Sequence, residues 1–182
     1  MQRAKELGKG SKGQALIFAV VTVLAAGLID QGTKLVVQTL LPTDVAIEIG
    51  RIFRIEHVRN SGFALSLLSG TGRLPLVVTF VSTLVIIGLW LRNTDGGRFV
   101  SLGFALALGG MLGNLVDRLR FGEVFDFVVL HVGEHNWFAA NLADAEIVLG
   151  FLLLISALPA KANSGSSALD QPVARTTKDD DP

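Results

Sequence analysis

Long apolar blocks separated by polar segments dominate the pattern of hydrophobic and polar positions along this chain. Four blocks stand out, at residues 14–29 (continuing toward residue 41), 74–91, 99–116 and 142–158. An α-helix needs about 17–25 residues to span a bilayer, and three of the blocks reach this length only when polar residues at one end are included. None of them alternates with period two, as a barrel strand would, and the lipid interior admits only helices and closed barrels. The pattern therefore predicts four transmembrane helices.

The segment at residues 39–73, between the first two blocks, has a different pattern. Its stretch VAIEIGRIFRIEHV, residues 45–58, alternates apolar and polar side chains. Such alternation is typical of strands that bury one face. It predicts a small β-sheet lying on the membrane surface.

The two ends of the chain are polar and lie outside the predicted helical domain, residues 14–160. Residues 1–13 carry four Lys or Arg residues, whereas residues 161–182 form a Ser- and Ala-rich, aperiodic tail that we expect to be disordered. Basic residues in the N-terminal segment and between the second and third blocks favour cytoplasmic termini by the positive-inside rule, although five basic residues after the first block weaken this asymmetry. A cleaved signal peptide is the alternative for the first block, but no clear small-x-small site follows it, so we expect a retained helix.

The composition supports an integral membrane protein. Half of the 182 residues are hydrophobic, the mean hydropathy is +0.53 and 18% are charged, against about a quarter in soluble domains. The 16 basic residues balance the 16 acidic ones, which argues against nucleic acid as a partner. The absence of cysteine excludes disulfides, thiolate metal sites and a cysteine nucleophile.

Polar residues collect at three predicted helix ends that share one side of the membrane. In a bundle whose helices alternate in direction, the ends of the first and third helices and the start of the fourth fall on the same side. An ionisable group at membrane depth costs roughly 2.5–3.5 kcal/mol, so such groups normally line a bundle interior or a wet cavity. The alternative is that they are solvated at head-group level, as we expect for Glu146. The cluster consists of Asp30, Gln31, Lys34, Asn114, Asp117, Arg118, Asn141, Asp144 and Glu146.

Two aspartates in this region form a candidate catalytic pair. Asp126 follows Asp117 by nine residues, beyond a turn predicted at Gly122, and Asp144 lies in the first turn of the fourth helix. The loop between them begins and ends at the same membrane face, so the two carboxyls can approach each other. Two carboxyls that share a site do not both ionise readily: one keeps a proton and acts as general acid, while the other activates water. This is the chemistry of aspartyl proteases, and it requires neither a metal nor a nucleophilic side chain.

Three other interpretations compete with a protease. His131 and His135 could bind zinc together with the two aspartates, but HVGEH contains Gly133 and departs from the HExxH pattern, so we expect no metal and exposed loop histidines. A proton relay or transporter needs ionisable groups through the membrane, whereas residues 74–91 include no charged residue. A non-catalytic scaffold leaves the one-sided polar cluster unexplained.

Four motifs, in this order and on these helix ends, resemble those of the lipoprotein signal peptidases, also called signal peptidase II, a family of bacterial intramembrane aspartyl proteases. The resemblance extends over about residues 14–160. One departure is Leu65, which stands where the family pattern has an aromatic residue. The motifs are DQGTK at 30–34, RNSGFALSL at 59–67, GGMLGNLVDRLRFGEVFDF at 109–127 and FAANLADAEIVLG at 138–150.

The resemblance implies roles for the polar residues of these motifs. Asp126 and Asp144 would form the catalytic dyad, and Asp30 and Asp117 would support the geometry of the site. No cofactor and no metal would be required. The substrate site would be lined by Asn60, Gly62, Asn114, Arg118 and Asn141.

The resemblance also implies an architecture and a substrate. The fold would be that of an all-α membrane protein with four transmembrane helices and a small extracytoplasmic β-cradle between helices 1 and 2. It would lie in the bacterial cytoplasmic (inner) membrane, with both termini cytoplasmic and the active site near the outer leaflet. Family members cleave prolipoproteins just before a cysteine that carries diacylglycerol, and this substrate enters laterally from the bilayer. The expected partners are therefore the lipid-modified prolipoprotein and membrane lipid, without nucleic acid, and the expected state is a monomer.

Overall fold

Each of the four predicted apolar blocks corresponds to a helix. A computed structural model of the chain describes the backbone of residues 2–62, 70–94 and 96–157, and within these ranges the side chains from residue 13 onward. The first helix begins at Gln2, well before the apolar block that predicted it, so the basic N-terminal segment is helical too. The helices are α1 (Gln2–Leu40), α2 (Leu74–Arg92), α3 (Gly97–Phe121) and α4 (Leu142–Ser156).

Three of these helices are long and apolar enough to cross a membrane. They are residues 13–40 of α1, all of α2 and all of α3, with 28, 19 and 25 residues respectively. The helix α4 is also apolar but has 15 residues, which is shorter than a bilayer crossing requires. The structure is thus mostly helical with three candidate membrane spans among the described residues.

The helix ends follow local sequence signals. Pro75 lies in the first turn of α2, where a missing backbone N–H costs no helical hydrogen bond. Gly122 ends α3 in the left-handed conformation, with φ of 81°, and its N–H donates to the carbonyl of Arg118. A glycine adopts this conformation without a steric penalty, so the turn predicted at Gly122 is confirmed.

The third helix is the centre of the bundle, because it packs against α1, α2 and α4. Its glycines allow these contacts to be close. A Cβ placed on Gly109 would lie 2.4 Å from the Ala26 Cβ of α1, and one on Gly110 would lie 2.3 Å from the Ala143 carbonyl of α4. Small residues at such crossings let helix backbones approach, as is common in membrane proteins.

The strands form one four-stranded antiparallel sheet in the order β1-β2-β3-β4. The alternating segment predicted as strands is confirmed, since it forms β1 and most of β2. The pairing of β2 with β3 places Val58 opposite Asp126, and a register shift interrupts it between Ile55 and Val58. The strands are β1 (Ile47–Ile49), β2 (Phe53–Asn60), β3 (Val124–Val132) and β4 (His135–Ala140).

The prediction of a loop between Asp126 and Asp144 is wrong, because this segment is the β3–β4 hairpin. The sequence of β3, VFDFVVLHV, is a nearly continuous apolar run rather than an alternating one, and such runs mark strands covered on both faces. The prediction of an exposed His131 is also wrong: this side chain is buried on β3, with Nε2 2.9 Å from the Glu48 carboxylate of β1. His135 is exposed, at the start of β4.

The close crossing of α3 and α4 gives a test of the fold. We expect Gly110→Ala to lower the free energy of unfolding by about 1–3 kcal/mol, because the new methyl group must displace the α4 backbone. Gly88→Ala is the matched control, since a Cβ at Gly88 of α2 meets nothing within 4 Å and alanine favours the helix. Denaturant titration of both variants in detergent would measure the difference, and equal stabilities would contradict this packing.

Candidate active site

Asp126 and Asp144 reach one cavity from different elements. Asp126 is the third residue of β3, and Asp144 is the third residue of α4. Both line a cavity of about 630 Å³. Asp126 is 1% exposed, whereas Asp144 is half-buried.

Asn60 and Asn141 hold the Asp126 carboxylate from two sides. The Asn60 Nδ2 donates to Oδ2 over 2.8 Å, and the Asn141 Nδ2 donates to Oδ1 over 2.6 Å. Asn60 belongs to β2, which pairs with β3, so the sheet register brings this amide next to the carboxylate. Both oxygens of Asp126 therefore accept a hydrogen bond from an amide.

A capping box fixes Asp144. Asn141 is the N-cap of α4, and its Oδ1 accepts the Asp144 N–H over 3.1 Å. In return the Asp144 Oδ2 accepts the Asn141 N–H over 3.0 Å. This reciprocal pairing satisfies two helix-end donors and leaves Asp144 Oδ1 to accept from Asn114 Nδ2 over 2.9 Å. The sequence NLAD thus both starts the helix and orients a candidate catalytic carboxyl.

Next to the pair lies a mostly buried support cluster, Asp30, Gln31, Lys34, Asn114 and Asp117. The Asp30 Oδ1 accepts the Ala143 N–H at the start of α4 over 3.0 Å, and the Asp117 Oδ2 accepts the Phe125 N–H beside Asp126 over 3.3 Å. Each predicted supporting aspartate therefore holds the backbone next to one member of the pair. The family resemblance implies no role for Lys34, although its position four residues after Asp30 on a helix predicts that their side chains meet.

Two of the predicted substrate residues, Gly62 and Arg118, contact each other directly. The Arg118 Nη2 donates to the Gly62 carbonyl over 2.7 Å, and the Gly62 N–H donates to Asn60 Oδ1 over 3.0 Å. Arg118 is buried, so it does not extend to the membrane surface. Asn60, Asn114 and Arg118 line the cavity with the two aspartates, whereas Gly62 and Asn141 do not line it but bond to residues that do. Leu65 lies outside the described residues, so the expectation about it stays a prediction.

The cavity has one polar and one apolar end. Its polar end is formed by the two aspartates and the residues that bond to them. Its apolar part lies between α2 and α4 and is also lined by α3. Phe138 of β4 also lines it, whereas Trp137 is exposed. Besides Asn114, Arg118 and Asp144, the lining residues of the helices are Thr79, Val81, Ser82, Val85, Ile86, Met111, Ile147, Val148 and Phe151.

Burial raises the pKa of the Asp126 carboxyl from 3.8 to about 6. The negative charge of Asp144 acts in the same direction, whereas hydrogen bonds from Asn60 and Asn141 and the charge of Lys34 oppose it. A carboxyl with this pKa is protonated in about half of the molecules near pH 6 and in about a tenth of them at pH 7, so both protonation states are available to a group that exchanges protons with a substrate.

Glu146 is a third carboxyl near this region. The expectation that it would be solvated is wrong, since it is 9% exposed. It follows Asp144 by two residues on α4 and interacts electrostatically with Asp30 and Lys34 of α1. Glu146 does not line the cavity. Among the described residues, no group of three or more His, Cys, Asp or Glu side chains is arranged to hold a metal ion.

Comparisons with known proteins identify the family of this chain. The profile of the family described as signal peptidase (SPase) II matches residues 20–159. The lipoprotein signal peptidase of Syntrophus aciditrophicus is 37% identical over 146 residues, covering 77% of this chain and 91% of that protein. The one from Bartonella tribocorum is 31% identical over 145 residues, covering 78% and 86%. A solved structure described as a bacterial membrane enzyme, obtained by the in meso method, matches with a TM-score of 0.64 and 27% identity, covering 85% of this chain and 93% of that one.

The apolar helices, the fold and the family match together define a membrane peptidase of the aspartic type. The chain belongs to the signal peptidase II family. The resemblance drawn from the four sequence motifs is thereby confirmed.

The raised pKa of Asp126 makes a prediction about stability. The Asp126 carboxyl binds a proton more tightly in the folded chain than in the unfolded chain. Its contribution to the free energy of unfolding is therefore complete below about pH 4 and is lost as the pH rises through 6. Asp126→Asn removes this titration. Relative to wild type, we expect the variant to gain about 1–3 kcal/mol of stability between pH 4 and pH 8, measured by thermal unfolding in detergent. Asp44→Asn, at an exposed position, should show no such gain, and a pH-independent difference for Asp126→Asn would contradict the raised pKa.

Proposed function

We propose that this chain is an aspartic endopeptidase that removes signal peptides from diacylglyceryl-modified prolipoproteins, cutting before the lipid-modified cysteine. Asp126 and Asp144 are its catalytic residues. The observation that carries this proposal is the placement of two carboxyls at the polar end of a cavity whose other end is apolar and lies between helices. The names of the relatives, lipoprotein signal peptidases, supply the substrate class.

The reaction needs one proton shared by the two carboxyls. The ionised carboxyl accepts a proton from water, and the hydroxyl oxygen attacks the carbonyl carbon of the scissile peptide. The protonated carboxyl gives its proton to the carbonyl oxygen, which produces a tetrahedral diol. The diol then returns a proton, the C–N bond breaks, and the leaving nitrogen takes up a proton from the pair. The pair ends with one proton, as it began, and this proton belongs to the pair rather than to either residue.

The neighbouring polar residues position the reacting groups. Asn60, Asn114 and Asn141 each donate to one of the two carboxylates at 2.6–2.9 Å, which fixes the carboxyl planes. Arg118 holds residues 60–62 beside Asp126 through the Gly62 carbonyl. Asn60, Asn114 and Arg118 line the cavity and bind the peptide around the scissile bond. Gly62 and Asn141 hold these residues in place, and Asp30 and Asp117 support them from behind.

The apolar part of the cavity receives the membrane-embedded part of the substrate. A prolipoprotein carries an apolar signal segment and a diacylglyceryl group, and both partition into lipid. Lining from α2 and α4 leaves a lateral route from the bilayer to the aspartates. Burying apolar groups there stabilises the complex by about 25 cal/mol per Å², less the cost of ordering the substrate.

The topology that fits this reaction has α4 as a fourth transmembrane helix. Both termini then lie in the cytoplasm, and the sheet forms an extracytoplasmic cradle at the outer leaflet of the bacterial cytoplasmic membrane. The monomer contains both aspartates and both sides of the cavity, so a single chain suffices for activity.

Removal of either aspartate tests the catalytic assignment. We expect Asp126→Asn and Asp144→Asn each to lower the rate of signal-peptide release by at least about 10³-fold, because neither variant can pass a proton through the pair. The assay mixes purified protein in detergent with a diacylglyceryl-modified prolipoprotein, with and without chelator. Asp44→Asn, at an exposed loop position, is the matched control and should keep full activity. Near-normal cleavage by either dyad variant, or loss of cleavage on chelation, would overturn the assignment.

Obstruction of the lateral route tests the substrate path. Val85 and Leu84 are adjacent exposed apolar residues of α2, and Val85 lines the cavity whereas Leu84 does not. We expect Val85→Trp to raise KM by about tenfold, since the indole fills space that the substrate needs. Leu84→Trp should leave KM unchanged. Steady-state kinetics on the same prolipoprotein would distinguish them, and equal effects would argue against entry between α2 and α4.

A further inference from the structure

Lys34 is a buried lysine that contacts both supporting aspartates and an asparagine of the site. Its side chain is almost fully enclosed, and the residue is 2% exposed. The Nζ lies 2.8 Å from Asp30 Oδ2, 2.9 Å from Asp117 Oδ2 and 3.0 Å from Asn114 Oδ1. An ammonium group has three N–H donors, and each of them has an acceptor here.

The two carboxylates that Lys34 joins are those that hold the catalytic segments. Asp30 binds the backbone next to Asp144, and Asp117 binds the backbone next to Asp126. Without the cation between them, two buried carboxylates would repel each other, and both segments would lose their anchor. Lys34 therefore fixes the relative position of α4 and β3.

Lys34 also determines which way the Asn114 amide faces. The Asn114 Oδ1 accepts from Lys34 and from Asn141 Nδ2, both over 3.0 Å. In the flipped orientation the amide NH₂ would meet these two donors, so Nδ2 must point the other way, toward Asp144 Oδ1. The Lys34 ammonium is thus connected to the Asp144 carboxylate through one side chain, that of Asn114.

We propose, on the basis of the function proposed above, that Lys34 is a positioning residue of the peptidase site whose positive charge sets the pH range in which the catalytic pair holds its shared proton. The positive charge of Lys34 lowers the pKa of Asp126 against the effect of burial. The charged groups around this part of the site are Asp30 of α1, Asp117 and Arg118 of α3, Asp126 of β3, and Asp144 and Glu146 of α4.

A purely structural role for Lys34 makes a different prediction. Gln31 provides the matched control, because its Nε2 donates to Asp30 Oδ2 over 3.2 Å and to Asp117 Oδ1 over 2.9 Å. It binds the same two carboxylates from the same helix without a charge. A loss of support should thus appear in variants of either residue, whereas a loss of charge should appear only in variants of Lys34.

The experiment is the pH dependence of kcat/KM for signal-peptide release. In Lys34→Met we expect both limbs of the bell-shaped profile to move to higher pH by about 0.5–1 unit, since removal of a nearby positive charge makes protons harder to remove from the pair. Gln31→Met should lower the rate without moving the limbs. Lys34→Arg keeps the charge and should keep the limbs in place. An unmoved profile in Lys34→Met, or an equal movement in Gln31→Met, would overturn the proposal.

Asp30→Asn keeps the inference testable if Lys34→Met does not fold. This substitution preserves shape and removes a negative charge that Lys34 contacts, so the limbs should move to lower pH. A movement to higher pH, or none, would contradict the electrostatic coupling between the support cluster and the catalytic pair, on which the proposed role of the Lys34 charge depends.

A titration without substrate separates this inference from the proposed function. The Asp126 carboxyl can be followed by ¹³C NMR in detergent, with its signal assigned by its loss in Asp126→Asn. A higher titration midpoint in Lys34→Met than in wild type and Gln31→Met supports the inference even when wild type cleaves no prolipoprotein. Coincident midpoints would overturn it even when the peptidase assignment holds.

Discussion

A lysine ammonium placed between two aspartate carboxylates, at the meeting of α1, α3 and the start of α4, is the interaction on which this site depends. Each charge alone would cost several kcal/mol at this depth, and the three are retained because every one of them has partners. Lys34 binds both carboxylates within 3 Å, and the remaining oxygens accept from backbone N–H groups and from Gln31. The support of the active site is therefore also the polar core of the bundle.

The close packing around α3 makes this arrangement possible. A Cβ on Gly113 would lie 2.4 Å from the Asp30 carboxylate, so glycine at this position gives the carboxylate its space. Gly109 and Gly110 bring α1 and α4 near enough for Lys34 and the α4 N-terminus to reach the same group of side chains. In lipid, helix association relies on packing and on interhelical hydrogen bonds rather than on the hydrophobic effect. In this bundle the close glycine contacts of α3 and its hydrogen bonds to α1 occur in neighbouring turns of the helix.

Local patterns in the sequence predicted much of this structure. Apolar blocks gave the helices, the alternation at 45–58 gave β1 and most of β2, and Gly122 gave the turn before β3. The β3–β4 hairpin was not predicted, because a strand covered on both faces does not alternate apolar and polar residues. The burial of Glu146 and of His131 depends on tertiary neighbours, since an isolated carboxylate or imidazole near a helix or strand end resembles a solvated one. The role of Lys34 required the positions of three helices at once, although its spacing from Asp30 already predicted their contact.

The central claim is that Asp126 and Asp144 act as one catalytic unit, and the most direct test is a double-mutant cycle on signal-peptide release. Residues that act as a unit have strongly non-additive effects. Rates for wild type, Asp126→Asn, Asp144→Asn and the double variant would be measured on one diacylglyceryl-modified prolipoprotein under single-turnover conditions. We expect the double variant to be no slower than the slower single variant, because the shared proton is already lost once either carboxyl is gone. Losses that multiply in the double variant would show that the two aspartates contribute independently, and would contradict the dyad.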